Sequence, residues 1–189
     1  MKKILLLSAV MLLGLTTSAQ ETEEIQTLFG GGTRISGFGG PFMTFGTINS
    51  DFAHMMGGGG GVILGNYFLG GYGLGLTNYI DAGGTRMGFG HGGFWTGYSF
   101  FGNRAVHPAV STLIGWGGLT MEDGLNPPYQ SDNVFVVSPV IELEMNFLRF
   151  FRMCVGANYT FVTGVNTPGL TDGDFNSPGA FISFKFGWF

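Results

Sequence analysis

From Val134 to Phe147 the chain alternates. Phe135, Val137, Pro139, Ile141, Leu143, Met145 and Phe147 share one parity, while Ser138, Glu142, Glu144 and Asn146 share the other. Successive strand side chains point to opposite faces, so this segment predicts a strand with one apolar face and one face bearing two carboxylates. Residues 151–163 repeat the pattern. Phe151, Met153, Val155, Ala157, Tyr159 and Phe161 stand against Arg152, Cys154, Gly156, Asn158 and Thr160. The C-terminal run repeats it again, with Ile182, Phe184, Phe186 and Trp188 against Ser183, Lys185 and Gly187.

Short Asn-containing turn candidates lie at Gly65-Asn66, at Gly102-Asn103-Arg104 and over 146–149. They cut the chain into four pieces, 30–66, 67–103, 104–146 and 147–189. Each piece holds two strand candidates around a polar stretch, at 48–51, 78–86, 121–133 and 166–179. Four hairpins predict eight antiparallel strands, with short turns at one end and longer loops at the other. Such strands reach the 9–11 residues that cross a bilayer. Aromatic residues gather beside the short turns: Tyr67, Phe68, Phe100, Phe101, Phe147, Phe150, Phe151 and Trp188. A girdle of rings belongs where lipid meets headgroups, and a soluble sandwich has no reason to collect rings at one end. The chain is therefore read as an all-β transmembrane up-and-down barrel. A soluble secreted β-sandwich is the competing reading, since period alone cannot separate a lipid face from a core face.

Composition narrows the classes. Of 189 residues 36 are Gly, aromatics make up 15% and charged residues only 11%. Disordered chains are rich in charge and poor in rings, and nucleic-acid binders are basic. This chain carries a formal charge of -4, so no nucleic-acid partner is expected. Met1-Lys2-Lys3, the apolar run from Ile4 to Leu15, and Thr17 and Ala19 before a cleavage site form a secretory signal peptide over 1–19. Residues 20–32 form a short periplasmic lead with Glu21, Glu23 and Glu24, and 33–189 form the barrel. Cys154 is the one cysteine, so no internal disulfide is expected.

At this point the sequence resembles the small outer-membrane β-barrel proteins of the OmpX/OmpA-barrel kind. The signal peptide, the four hairpins and the ending Phe181-Ile182-Ser183-Phe184-Lys185-Phe186-Gly187-Trp188-Phe189 carry the resemblance. It implies a monomer in the outer membrane of a diderm bacterium, among lipid and lipopolysaccharide. It also implies delivery by periplasmic chaperones and the barrel-assembly machinery, which reads a final strand such as Phe184, Phe186, Trp188 and Phe189. Phe189 departs from the pattern, being out of phase with the alternating set. Either it lies past the last lipid-facing residue or the strand carries a bulge.

Inside a narrow barrel, charges need partners. Pairing Asn146 with Phe150 places Glu144 opposite Arg152, and a lumenal cluster of Glu142, Glu144, Arg152 and Lys185 is expected toward the periplasmic end, plugging the bore. Gly57, Gly59 and Gly61 share a face, as do Gly71, Gly73 and Gly75, with Thr77 continuing a lumenal side. Glycine faces supply curvature and leave a narrow channel open as the alternative function. The run from Gly57 to Gly61 lacks the context of a phosphate-binding loop. Of His54, His91 and His107, only His54 has an acid and a hydroxyl nearby, Asp51 and Ser50, which leaves a lipid-modifying enzyme as the least favoured reading. Acidic residues crowd the loops, with Asp172-Gly173-Asp174 the tightest pair, but no full metal-ligand set can be named. No catalytic residue, cofactor or metal is expected. The first reading is a structural or surface-interaction protein working through its outer loops.

Overall fold

The computed structural model describes residues 35–81, 85–122 and 130–189. The expected signal peptide, the acidic lead, the first two barrel residues and Asn126-Pro127-Pro128-Tyr129 lie outside them. The elements are β1 (Ile35–Ile48), β2 (Asp51–Leu64), β3 (Tyr67–Leu76), β4 (Ile80–Asp81), β5 (Arg86–Ser99), β6 (Val106–Glu122), β7 (Gln130–Leu148), β8 (Phe151–Thr163), α1 (Asp172–Phe175) and β9 (Ser177–Gly187). Eight strands pair antiparallel with their chain neighbours, β3 pairing β5, and β9 returns to β1 to close the sheet. The two-residue β4 only extends β5. Closure leaves no unpaired sheet edge, which is how an up-and-down barrel satisfies its backbone.

The alternating pattern sets the two faces. On β7, Val134, Val136, Ser138, Val140, Glu142 and Glu144 are buried, while Phe135, Ile141, Leu143 and Phe147 are exposed. Arg152, Cys154 and Asn158 on β8 and Phe181, Ser183 and Lys185 on β9 likewise turn inward. Inward residues, apolar and charged alike, are buried, and the outward apolar residues are bare, which sets this wall apart from that of a soluble barrel.

Three expectations are corrected. Gly71, Gly73 and Gly75 of β3 do not face the lumen. The two-residue turn Gly65-Asn66 pairs Leu64 with Tyr67, so odd positions of β2 sit across from even positions of β3. Gly57, Gly59 and Gly61 point inward and face Leu74, Tyr72 and Gly70, while Gly71, Gly73, Gly75 and Thr77 point outward. Next, β7 and β8 are joined by Arg149-Phe150, with a bulge at Phe147, so Glu144 pairs with Cys154 and Arg152 with Asn146. Extending β7 through the bulge to Leu148 adds ladder pairing and moves the register by two residues. Finally, the first loop is no longer than the turns, since Asn49 and Ser50 alone join β1 to β2, both with positive φ as a tight hairpin turn demands.

Candidate functional site

The lumen, from the turn end to the loop end, is the candidate site. At the turn end β6 to β9 each contribute an inward polar group on nearly one level. Lys185 Nζ lies 2.6 Å from Glu144 Oε1 and 3.3 Å from Glu142 Oε1. Arg152 Nη1 lies 3.3 Å from Glu144 Oε2. The structure thus brings together Glu142, Glu144, Arg152 and Lys185, with Arg152 reaching Glu144 diagonally rather than across the ladder. Four further members come from outside that set, and the first is Cys154, whose Sγ donates to Glu144 Oε1 at 3.6 Å. His107 Nε2 sits 2.8 Å from Glu144 Oε2, Ser99 Oγ donates to the same oxygen at 2.7 Å, and Ser111 Oγ donates to Glu142 at 3.3 Å. For His107 and Ser111 the facing was legible in the sequence, while the register that brings them to the carboxylates came only with the structure. His107 and Ser111 share the inward parity of β6, and the register that pairs His107 with Glu144 follows from the β6–β7 hairpin. Every cation in the cluster is matched by a carboxylate, which is the condition for holding charge in a dry interior.

Above the charges the bore is filled with rings. Phe42, Trp95 and Phe181 are almost wholly buried, with the Phe42 and Trp95 centroids 5.0 Å apart and Phe42 and Phe181 5.5 Å apart. Phe38 and Phe68 meet Trp95 edge-on at 5.3 and 5.4 Å. Lys185 Nζ lies 4.8 Å from the Phe68 ring centre and 5.2 Å from that of Trp95, so the cation is bounded by carboxylates below and π faces above. The inward glycines make this possible, since a Cβ on Gly59 would come within 3.0 Å of the Trp95 ring.

The loop end is covered by the chain between β8 and β9. Leu170 and Phe175 are buried, and Phe175 packs on Phe89 at 5.2 Å. Asn49 donates its N–H to the Asp174 carbonyl at 2.7 Å, tying this segment to the first hairpin. The two acids of Asp172-Gly173-Asp174 serve the local backbone: Asp172 accepts from Val165 N–H at 2.8 Å, and Asp174 accepts from Thr171 N–H at 2.7 Å and from its hydroxyl at 2.8 Å.

Below the charge cluster a cavity of about 710 Å³ is bounded by the Gly65-Asn66, Gly102-Asn103 and Arg149 turns. Its walls include Phe38, Phe68, Arg152, Lys185 and Phe189. Phe189 is on the inner side, its ring 4.0 Å from the Arg152 guanidinium. β9 pairs β8 without a bulge from Ser177 to Phe186, and the chain turns in beyond Gly187. Of the expected assembly residues, Phe184, Phe186 and Trp188 face outward and Phe189 does not. Among the expected girdle residues Tyr67, Phe100, Phe101, Phe147, Phe150 and Trp188 are exposed at the turn end, and Phe151 is half-buried on the outer face. Phe68 departs from the set: it is buried inside the barrel, because its partner across the turn, Ile63, is an inward residue.

The histidines are dispersed. His54 faces outward, stacked on Phe45 at 4.9 Å, and its Nδ1 lies 2.6 Å from Thr77 Oγ1. It meets a threonine, not the expected Asp51 or Ser50. His91 is buried against the Tyr72 hydroxyl at 2.8 Å, and His107 belongs to the charge cluster.

The sequence matches no family model and no curated protein. Solved structures do resemble it. Neisserial surface protein A superposes with a TM-score of 0.63 at 11% identity, covering 84% of this chain and 99% of that one. The N-terminal β-barrel domain of Pseudomonas aeruginosa OprF gives 0.55 at 12% identity, covering 84% and 100%. At such identities the likeness is one of fold: a closed eight-stranded antiparallel barrel.

Proposed function

We propose that this chain is an integral outer-membrane protein of a diderm bacterium, closed to solutes, with a structural or surface-interaction role at its loop end. The carrying observation is the inverted wall. Among the described residues, charged side chains inside the barrel strands point inward, while Phe52, Leu69, Phe94, Trp116, Ile141, Phe161 and Phe186 are exposed on the outside. In water that surface would drive association; in hydrocarbon it is solvated, and the buried charges gain their partners inside. Rings at both rims, Tyr67, Phe147 and Trp188 at one and Phe52, Tyr79, Trp116 and Phe135 at the other, fit two lipid–water interfaces. The fold shared with a protein named as a surface protein supports the same placement. Export through a signal peptide ending at Ala19, and assembly through the outward Phe184, Phe186 and Trp188, complete the reading. The chain works as a monomer, since among the described residues no strand edge is left to pair.

Charge cluster, ring plug and the β8–β9 segment lie in series, which supports a closed lumen. The surface role then falls to the loop end, where β6 and β7, with 17 and 19 residues, outrun every other strand. Three measurements test the proposal. The protein stays in the membrane pellet through an alkaline carbonate wash, protease added to intact cells cuts between β6 and β7, and planar bilayers show no current steps. Release without detergent overturns the membrane reading, and stepwise current replaces the closed lumen by a channel.

A further inference from the structure

The turn-end cavity has two unlike walls. On the β1–β3 side it is apolar, formed by Phe38, Ile63 and Phe68. On the β7–β9 side it carries its basic groups, beside Phe147 and Leu148. Arg149, Arg152 and Lys185 line it together with Glu144, and Glu142 holds Lys185 from behind. Both Glu144 oxygens are already engaged, Oε1 by Lys185 and Oε2 by Ser99, His107 and Arg152. Glu142 and Glu144 thus match Lys185 and Arg152, and Arg149 at the rim is the cation of this wall with no side-chain carboxylate partner among the described residues. Two buried atoms on this wall have no hydrogen-bond partner among the described residues: the Arg152 Nε–H, a donor, and Asn146 Oδ1, an acceptor. Arg152 is itself more than nine-tenths buried. Its Nη2 and the Asn146 amide both bond the Gly102 carbonyl, at 3.3 and 3.1 Å, so the two groups are held side by side. Buried donors and acceptors are ordinarily paired, and a cavity of several hundred cubic ångströms with one apolar wall and a few convergent polar groups has the make-up of a small-molecule site.

We propose that this cavity binds a small anionic amphiphile. Its anionic oxygens face Arg149 and Arg152, a neighbouring N–H or O–H donates to Asn146 Oδ1, and its apolar portion lies along Phe38, Ile63 and Phe68. Carboxylate and phosphate head groups share this chemistry. The site opens at the turn end, away from the loops, and does not depend on the surface role proposed above.

The test is calorimetric titration of the full chain in phosphatidylcholine nanodiscs, with empty discs as blank. The probes are N-hexanoylglycine, its uncharged methyl ester, and hexyl phosphate. Saturable binding of one molecule per barrel is expected for the acid or the phosphate, and the tighter of the two identifies the head group. Losing one charge-assisted contact weakens binding about tenfold, both for the ester and for Arg149→Gln at the exposed rim. Ser36→Trp, which fills the cavity from β1, abolishes binding. Gly102→Leu provides a second filling variant, since its added Cβ meets nothing closer than 3.8 Å. Folding of each variant is checked by heat-modifiable gel mobility. Equal affinity for acid and ester, unchanged binding in both filling variants, or heats equal to those of empty discs would overturn the proposal.

Discussion

Lys185 is the residue on which the interior most depends. Its ammonium stands between two carboxylates in a fully buried setting, with rings on its remaining side. Removing one partner of a buried ion pair leaves the other charge uncompensated, which costs about 3–5 kcal/mol. Lys185→Met should therefore lower the unfolding free energy measured by urea titration in lipid vesicles by that amount, and Glu144→Gln added to it should recover part of the loss. Asp132 offers a contrasting case at the loop end, beyond the outward Trp116–Phe135 pair. The Asn166 backbone N–H and the Thr167 hydroxyl donate to its carboxylate, which favours the charged form and holds its pKa below the usual value. A lowered native pKa adds stability that is present above the unfolded pKa and lost as pH falls through the native one. The start of the β8–β9 segment should stay docked on β7 at neutral pH and loosen only as the medium is acidified beneath the ordinary Asp range, through the lowered native pKa. Hydrogen exchange at the Asn166 amide checks this, and Asp132→Ala should exchange quickly at every pH with no acid step.

At the scale of the strand, parity across each turn decides what a glycine does. The sequence shows two glycine rows, 57–59–61 and 71–73–75, that look equivalent. A two-residue turn makes them opposite. Gly59 lies beneath Trp95, and a Cβ there would also come within 2.7 Å of the Gly71 carbonyl. Gly73 faces outward with nothing within 4 Å of an added Cβ. Gly59→Val should destabilise the barrel by about 1–3 kcal/mol through overpacking. Gly73→Val should be neutral or stabilising, since a β-branched residue suits a strand better than glycine. Thermal melts of the two variants in one detergent separate them. The same parity rule explains Phe68, whose place beside the Gly65-Asn66 turn predicted an outward ring. Strand existence and facing were legible from alternation on β7, β8 and β9, where polar and apolar residues differ clearly. On β2 and β3 glycine carries no facing signal, so only the turn could supply it.

At the scale of the described barrel, the closed lumen proposed above rests on three fillings in series. Charges close the turn end of the bore, rings fill the middle, and Phe175 covers the loop end. Trp95 is the largest fully buried side chain, and Trp95→Ala should cost about 3–5 kcal/mol. It should still give no current in planar bilayers, because the charge cluster below and Phe175 above remain in place. A current in this single variant would show that the rings alone hold the lumen shut.

The sequence by itself determined the class of the fold and the sense of its wall. Period-two alternation and three short turns are local properties, and they suffice for eight strands with an apolar exterior; the interior is polar at its turn end and filled with rings in its middle. They also suffice to gather Glu142, Glu144, Arg152 and Lys185, because inward charges of neighbouring strands have no other partners. Tertiary structure decided what depends on register and on long-range closure: the bulge at Phe147 that pairs Glu144 with Cys154, the entry of His107 and Ser99 into the cluster, the inward turn of Phe189 over Arg152, and the cavity between an apolar and a basic wall. A one-residue slip exchanges the two faces of a strand, and a cavity belongs to no single strand. One residue in five is glycine, and on those strands only the closed barrel fixes which way each one faces.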